Sequence, residues 1–221
     1  MTGVTAGDFP LDLVLFAMIV VFLVLRLRSV LGRRTGFERS AAAVERPAPP
    51  GATGPVIEGQ AETPPRAVPD PASPVGRELA RIQVIDRGFD PARFLAGAEA
   101  AFRQIVAAFA AGDRAALRPL LGEAILAGFD QAIAAREQAG ETQRSEIRAV
   151  LSATIEEAAL AGSVASVAVR FVSDQVALTL DRDGKPLSGT DAVAELVDVW
   201  TFERDLTQPS PNWHLVATRS G

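Results

Sequence analysis

His214 is the one imidazole this 221-residue chain could offer as a general base. It sits in Trp213-His214-Leu215, alternating with apolar neighbours as on a strand, and no serine or cysteine motif lies beside it to be activated. The chain has no cysteine, which removes thiolate nucleophiles, disulfides and cysteine-based zinc sites. Its single lysine, Lys185, falls in the turn DRDGK, so no phosphate-cradling GxxxxGK loop exists, and GxGxxG, GxSxG and HExxH are absent too. Asp181 and Asp183 have the opening spacing of a calcium loop, but the later acidic ligands are missing, and the stretch reads as a solvated hairpin turn. Glu156 and Glu157 are adjacent; on a regular strand they point to opposite faces and cannot pair as acid and base. Glu203-Arg204-Asp205 reads as a charged run suited to cross-strand ion pairs, or to a binding surface.

What stands out instead is aromatic. Both tryptophans, Trp200 and Trp213, fall in VDVWTFERDL and PNWHLVAT near the C-terminus of a chain without tyrosine. Either they line a ligand site or they fill a core. With Phe94, Phe102, Phe109, Phe171, Phe202 and Leu215 they are the candidates for the interior, or the pocket, of the folded part.

Those residues must be positioned by elements that the periodicity reveals. Leu79, Ile82 and Ile85 suggest a short helix ending in a turn at Gly88. Asp90 before Pro91 reads as an N-cap with proline at the first helical position, and Phe94, Ala98, Ala101, Phe102, Ile105 and Phe109 continue the helix to Gly112. Asp113 caps a further helix broken by Pro119, and Ile125, Phe129, Ala132, Ile133 and Arg136 carry helical spacing to Gly140. The period then changes to two: strands are expected at 145–160, 163–173, 175–181, 194–206 and 213–219. Helices followed by strands imply an α+β domain with the long helix across one face of an antiparallel sheet.

Ahead of that domain lie segments of different character. After a tail of residues 1–8, Leu13 to Leu25 are all apolar, and 9–31 is long enough for a hydrocarbon core. Asp8 and Asp12 precede it, and Arg26, Arg28, Arg33, Arg34 and Arg39 follow, so the C-terminal side is expected in the cytoplasm and a cleaved signal peptide is not. Residues 32–76 form a basic juxtamembrane stretch and a linker; from Ser40 to Gly76 they hold nine of the fifteen prolines and should stay unstructured. Fully extended, that linker reaches roughly 115 Å. Residues 77–221 are the expected domain, with fifteen Arg or Lys against twenty Asp or Glu, a balance that argues against nucleic-acid binding.

FDPARFLAGAEAAFRQIVAAFAAGDRAALRPLL, VAVRFVSD, DVWTFERDL and PNWHLVAT together resemble the Tim forty-four-like domain family, from about Leu79 to Arg219. That family includes the membrane-tethering subunit of the mitochondrial import motor and bacterial relatives called TimA. The resemblance implies a cystatin-like or NTF2-like α+β fold, helices on a curved antiparallel sheet around an apolar pocket. It also implies contact of the first helices, Leu79 through Phe109 here, with anionic inner-membrane lipid such as cardiolipin. Arg77, Arg81, Arg93 and Arg103 are the local candidates for headgroups. The long charged N-terminal region of mitochondrial members is replaced here by an apolar segment and a proline-rich linker, which fits the bacterial arrangement of a single anchor bearing a cytoplasmic domain on the inner membrane.

The expectation is therefore a membrane-anchored, non-enzymatic adaptor that binds lipid and an unidentified protein partner, with no metal or cofactor, in membrane-protein biogenesis or envelope assembly. The rivals are a pocket enzyme of the ketosteroid-isomerase kind, which would have to use Asp198 or His214, and a lipid-binding structural module without a protein client.

Overall fold

The structure, a computed structural model, describes residues 66–221; the apolar stretch 9–31 and the remainder of the chain before Arg66 lie outside the described residues. A two-residue strand, β1 (Arg66–Ala67), precedes four helices: α1 (Pro74–Ile85), α2 (Pro91–Ala111), α3 (Arg114–Leu117) and α4 (Glu123–Ala139). Strands β2 (Thr142–Ala161), β3 (Val164–Leu180), β4 (Pro186–Asp205) and β5 (His214–Ser220) follow. The sheet runs in the order β1-β2-β3-β4-β5. It is an antiparallel meander made mixed by β1, which joins β2 in parallel.

The helix ends follow from local chemistry. Ser73 accepts the Gly76 N–H at the start of α1, Asp90 accepts that of Arg93 at the start of α2, and Asp113 accepts that of Ala116 at the start of α3. Proline occupies the first turn of α1 and of α2, where a missing N–H costs nothing. Gly112 closes α2 in the left-handed conformation, φ 71°. Arg136 of α4 then donates to the carbonyls of Phe109 and Ala110, satisfying groups that the end of a helix leaves open. Its guanidinium also lies 5.3 Å from the Phe109 ring centroid, and burial lowers its pKa.

α2 has the length and mean hydropathy, 1.3, of a membrane span, yet it is the core helix. Leu95, Phe102 and Ile105 are fully buried against the sheet, from which Val167, Val169, Phe171 and Phe202 face them. Phe102 stacks flat on Phe171 with centroids 4.4 Å apart, and Trp200 meets Phe102 edge-on at 4.7 Å and 86°. Three register shifts in β2, at Ile147/Ala149, Val150/Ser152 and Ile155/Glu157, let this long strand bend around the helix.

Four features depart from the sequence-based expectations. The linker does not stay free to Gly76: β1 docks on β2, and α1 already starts at Pro74. Ile85 does not continue the buried stripe of Leu79 and Ile82 but is 52% exposed, because α1 ends there and turns away through Asp86. The two expected strands 163–173 and 175–181 are one, since Ser173 and Gln175, polar enough to suggest a break, are buried and satisfied by each other and by Asp198. β4 begins at Pro186, straight after the turn that Asp181 builds by accepting the Asp183 and Lys185 N–H groups.

Two glycines give opposite expected results. A Cβ at Gly76 would stand 2.0 Å from the Asp70 carbonyl oxygen and 2.7 Å from the Pro71 Cα, backbone atoms that cannot step aside. Gly76→Ala should therefore destabilise by about 1–3 kcal/mol. A Cβ at Gly97, in the exposed part of α2, meets nothing within 4 Å, and Gly97→Ala should stabilise by roughly 0.5–1 kcal/mol. Urea midpoints of the two variants shifting in the same direction would refute this account.

Candidate membrane and partner face

Two aromatic groups close the domain. Phe102, Phe171 and Trp200 occupy the centre, and Phe89, Phe94 and Trp213 form a second group at the end where α2 begins. Phe202 lies between them, 6.1 Å from Phe94 and 6.4 Å from Trp200. The tryptophans do not pair with each other: Trp200 opposes Thr218, whereas Trp213 precedes β5 and reaches back to Phe94 at 4.7 Å. Leu215 is fully buried, and Phe109 is half-buried against Phe129, 4.7 Å away. These eight candidates thus belong to the packed interior or its margin. A shallow groove of about 300 Å³ opens elsewhere, between the start of α1 and β2, lined by Pro74, Val75, Glu78, Glu156, Glu157 and Ala158.

The candidate acid/base residues are not assembled. Asp198 opposes Phe171 and accepts a hydrogen bond from Gln175, whereas His214 opposes Glu203. Asp198 and Glu203 are five residues apart on β4, about 17 Å along an extended strand. Glu156 and Glu157 depart from strict alternation, because the register shift between Ile155 and Glu157 brings both carboxylates to Arg219, at 3.4 and 3.2 Å. Arg170 also meets Glu156, at 3.5 Å. Val199 stands in register between Arg170 and Arg219, which explains how a valine on the face away from the helices is 1% exposed.

The charged run Glu203-Arg204-Asp205 does something other than cross-strand pairing. Arg204 donates to Asp86, the C-cap of α1, at 2.7 Å, with both side chains mostly buried, and to the Ser210 carbonyl. Asp205 accepts the backbone N–H and hydroxyl of Thr207, which lowers its pKa and orders the turn out of β4.

The outer face of α1 has a different chemistry. Arg77, Arg81 and Val84 lie opposite the buried Leu79 and Ile82, with Ile85 at the margin. Val84 is 79% exposed, the most open of the large apolar side chains among the described residues. Arg87 in the following turn and Arg93 in the first turn of α2 are exposed beside it in sequence. Arg81 pairs with Glu78 at 2.8 Å; Arg77, Arg87 and Arg93 form no ion pair among the described residues. Arg103 is already engaged: with Arg66 it brackets Glu99, a carboxylate only 7% exposed, at 3.3 and 3.0 Å. Glu99 was detectable in the sequence only as a lone acid in the apolar run LAGAEAAF, and Arg66, 33 residues away, gave no sign of being its partner.

The profile of the Tim44-like domain matches residues 75–220, most of the chain. The protein belongs to the Tim44-like family. The match runs from α1 through β5 and takes in the aromatics of WTFERD and PNWHLVAT that pack in or against the core of the Tim44-like domain. No curated protein sequence matches the chain. Among solved structures, the intermembrane-space region of the chloroplast protein ARC6 is similar over 57% of this chain and 95% of its own, at 12% identity and a TM-score of 0.41. A conserved protein from Planctomyces limnophilus DSM 3776 is similar over 54% and 88%, at 19% identity and a TM-score of 0.30.

Proposed function

We propose that this Tim44-like protein is a membrane-associated adaptor whose domain rests on anionic lipid through the outer face of α1 and presents the rest of its surface to a protein partner. The observation that supports this reading is exposed Val84 on the same outer face of α1 as Arg77 and Arg81, with exposed Ile85, Arg87 and Arg93 following in sequence, in an otherwise acidic domain. Apolar side chains at the headgroup boundary and arginines on phosphates are the two terms of interfacial binding. Arg103 is held by Glu99 and Arg81 by Glu78, which leaves Arg77, Arg87 and Arg93 as the arginines most available to headgroups. The aromatic interior is closed around its own rings, which favours the adaptor over a pocket enzyme.

The test is cosedimentation of residues 66–221, whose core is closed by its own elements, with cardiolipin-containing vesicles. Binding is expected at low salt and should fall as salt rises, with roughly 1 kcal/mol lost for each of Arg77, Arg87 and Arg93 changed to Gln. Val84→Asp should weaken binding without unfolding the domain, since the side chain touches water already. Absence of binding at low salt would end the lipid reading.

In the same proposal, residues 9–31 span the bacterial inner membrane and the domain stands in the cytoplasm, because the arginines follow the apolar segment. A reporter active only outside the cytoplasm, fused after Gly221, should stay silent; strong activity would reverse the topology.

A further inference from the structure

We infer that the edge of β2 beside α2 is an acceptor site that reads an arginine on an extended segment of a partner protein, and that β1 is its resident occupant. The inference rests on reading the domain as an adaptor. The occupant is held by one arginine side chain and a short backbone ladder, whereas the acceptor is firmly built, and that contrast carries the argument. Among the described residues β1 pairs Arg66 with Ala153 and Ala67 with Thr154, along a strand of twenty residues, and its ladder ends at Ala67. Pro64, Pro65 and Pro69 flank it in sequence, and proline has no N–H with which to lengthen a ladder. Arg66, Ala67 and Val68 are all exposed, so their departure uncovers little apolar area.

The acceptor side is different. Glu99 is 7% exposed, and Arg103, four residues along the same helix, serves only its Oε1. Its Oε2 faces β1 and receives both the Nε–H and an Nη2–H of Arg66, at 3.2 and 3.0 Å. A carboxylate so buried is costly without a second cation, so the site demands a charged donor at one fixed register position beside Ala153. Guanidinium suits it better than ammonium, because two N–H groups converge on one oxygen. The backbone of β2 supplies the ladder, and Glu99 supplies the selectivity, which is strand addition with a charged anchor. The partner is therefore an extended, arginine-bearing segment free of flanking proline, able to pair along more of β2 than β1 does. Because β1 is attached to the domain, it competes at the high effective concentration of an intramolecular ligand and sets the threshold a partner must exceed.

The test uses the full chain in detergent micelles and a fluorescent peptide, Thr-Val-Thr-Arg-Val-Thr-Val, with a counterpart carrying glutamine for arginine. By anisotropy, the Arg66→Ala chain should bind the arginine peptide at least tenfold more tightly than the unsubstituted chain does, and at least tenfold more tightly than it binds the glutamine peptide. Adding Glu99→Gln should erase the difference between peptides. Equal binding of the two peptides by Arg66→Ala, or none, overturns the inference. Ala67→Pro, which keeps Arg66 and Glu99 but spoils β1 as a strand, serves if Arg66→Ala does not fold; if neither gives a folded circular dichroism spectrum, β1 is integral to the domain and the inference falls. Light scattering covers the remaining occupant: a dimer that Arg66→Ala dissociates would assign the site to a second copy of this chain and overturn the partner reading. Vesicle binding of residues 66–221 separates this proposal from the one it rests on, since loss of lipid binding would leave the peptide result unexplained by a membrane adaptor but still standing as strand capture.

Discussion

Trp200→Ala is expected to remove about 3–5 kcal/mol of folding stability, out of a typical total of roughly 5–15. The ring is 6% exposed and meets Phe102 edge-on at 4.7 Å and Phe171 at 6.3 Å, so its loss opens a cavity where the long helix crosses the sheet. Phe102 and Phe171, stacked on each other, cannot both turn to fill it. Trp213→Ala should cost less, about 2 kcal/mol, because that ring is only half-buried and caps Phe89 and Phe94 from the side. Urea unfolding followed by circular dichroism measures both, and vesicle binding on the same samples should persist wherever the fold does. Unchanged midpoints in both variants would move the tryptophans from the core to a recognition surface.

The helices were readable in the sequence because their signals are local. Asp90-Pro91 and Gly112 bound α2 within the reach of a single turn, and the buried positions Phe94, Ala98, Phe102 and Ile105 repeat at helical spacing. The strands were readable less sharply. β3 runs through Ser173-Asp174-Gln175, a polar run whose burial depends on Asp198 from the neighbouring strand, and no pattern within β3 announces that. The shift that brings Glu156 and Glu157 together is likewise set by pairing with β3, and strict alternation misplaces one of the two.

Long-range ion pairs were not readable at all, and the arginine site beside β1 depends on one of them. Arg103 looked like a headgroup ligand because the sequence shows its charge and not Glu99 closing on it from one turn back while Arg66 arrives from the linker. The linker looked featureless for the same reason: composition records its prolines, but the docking of Arg66 and Ala67 depends on a strand edge about ninety residues later, a separation that no local rule can sense. Exposure on α1 was half legible. Helical spacing separated Leu79 and Ile82 from Arg77, Arg81 and Val84, but it took the end of the helix at Ile85 to leave that residue exposed.

The pair between Arg204 and Asp86 gives the second large effect. Arg204 stands in WTFERD, and the chain places its partner 118 residues earlier, at the last turn of α1. The N–O distance is 2.7 Å with side-chain exposures of 15% and 20%, so water screens the pair weakly, whereas the Arg81–Glu78 pair on the same helix has exposures of 59% and 31%. Arg204→Ala should cost about 2–3 kcal/mol, at or just below the roughly 3–5 that removing one member of a fully buried pair costs, because Asp86 keeps some access to water and still accepts the Gly88 N–H. Asp86→Ala should cost at least as much, since it strands a guanidinium whose other contact is the Ser210 carbonyl. A double-mutant cycle on urea midpoints should give a coupling above about 1 kcal/mol for Asp86–Arg204 that survives high salt, and below about 0.5 for Glu78–Arg81 that does not. Since the Asp86–Arg204 pair ties the end of α1 to β4, the same variants should speed amide exchange in its last turn, where Val84 and Ile85 are exposed, and, under the proposed function, should weaken vesicle binding in proportion. Equal couplings for the two pairs would mean that the contact between α1 and β4 is decoration, and that the orientation of the outer face of α1 is set by Leu79 and Ile82 alone.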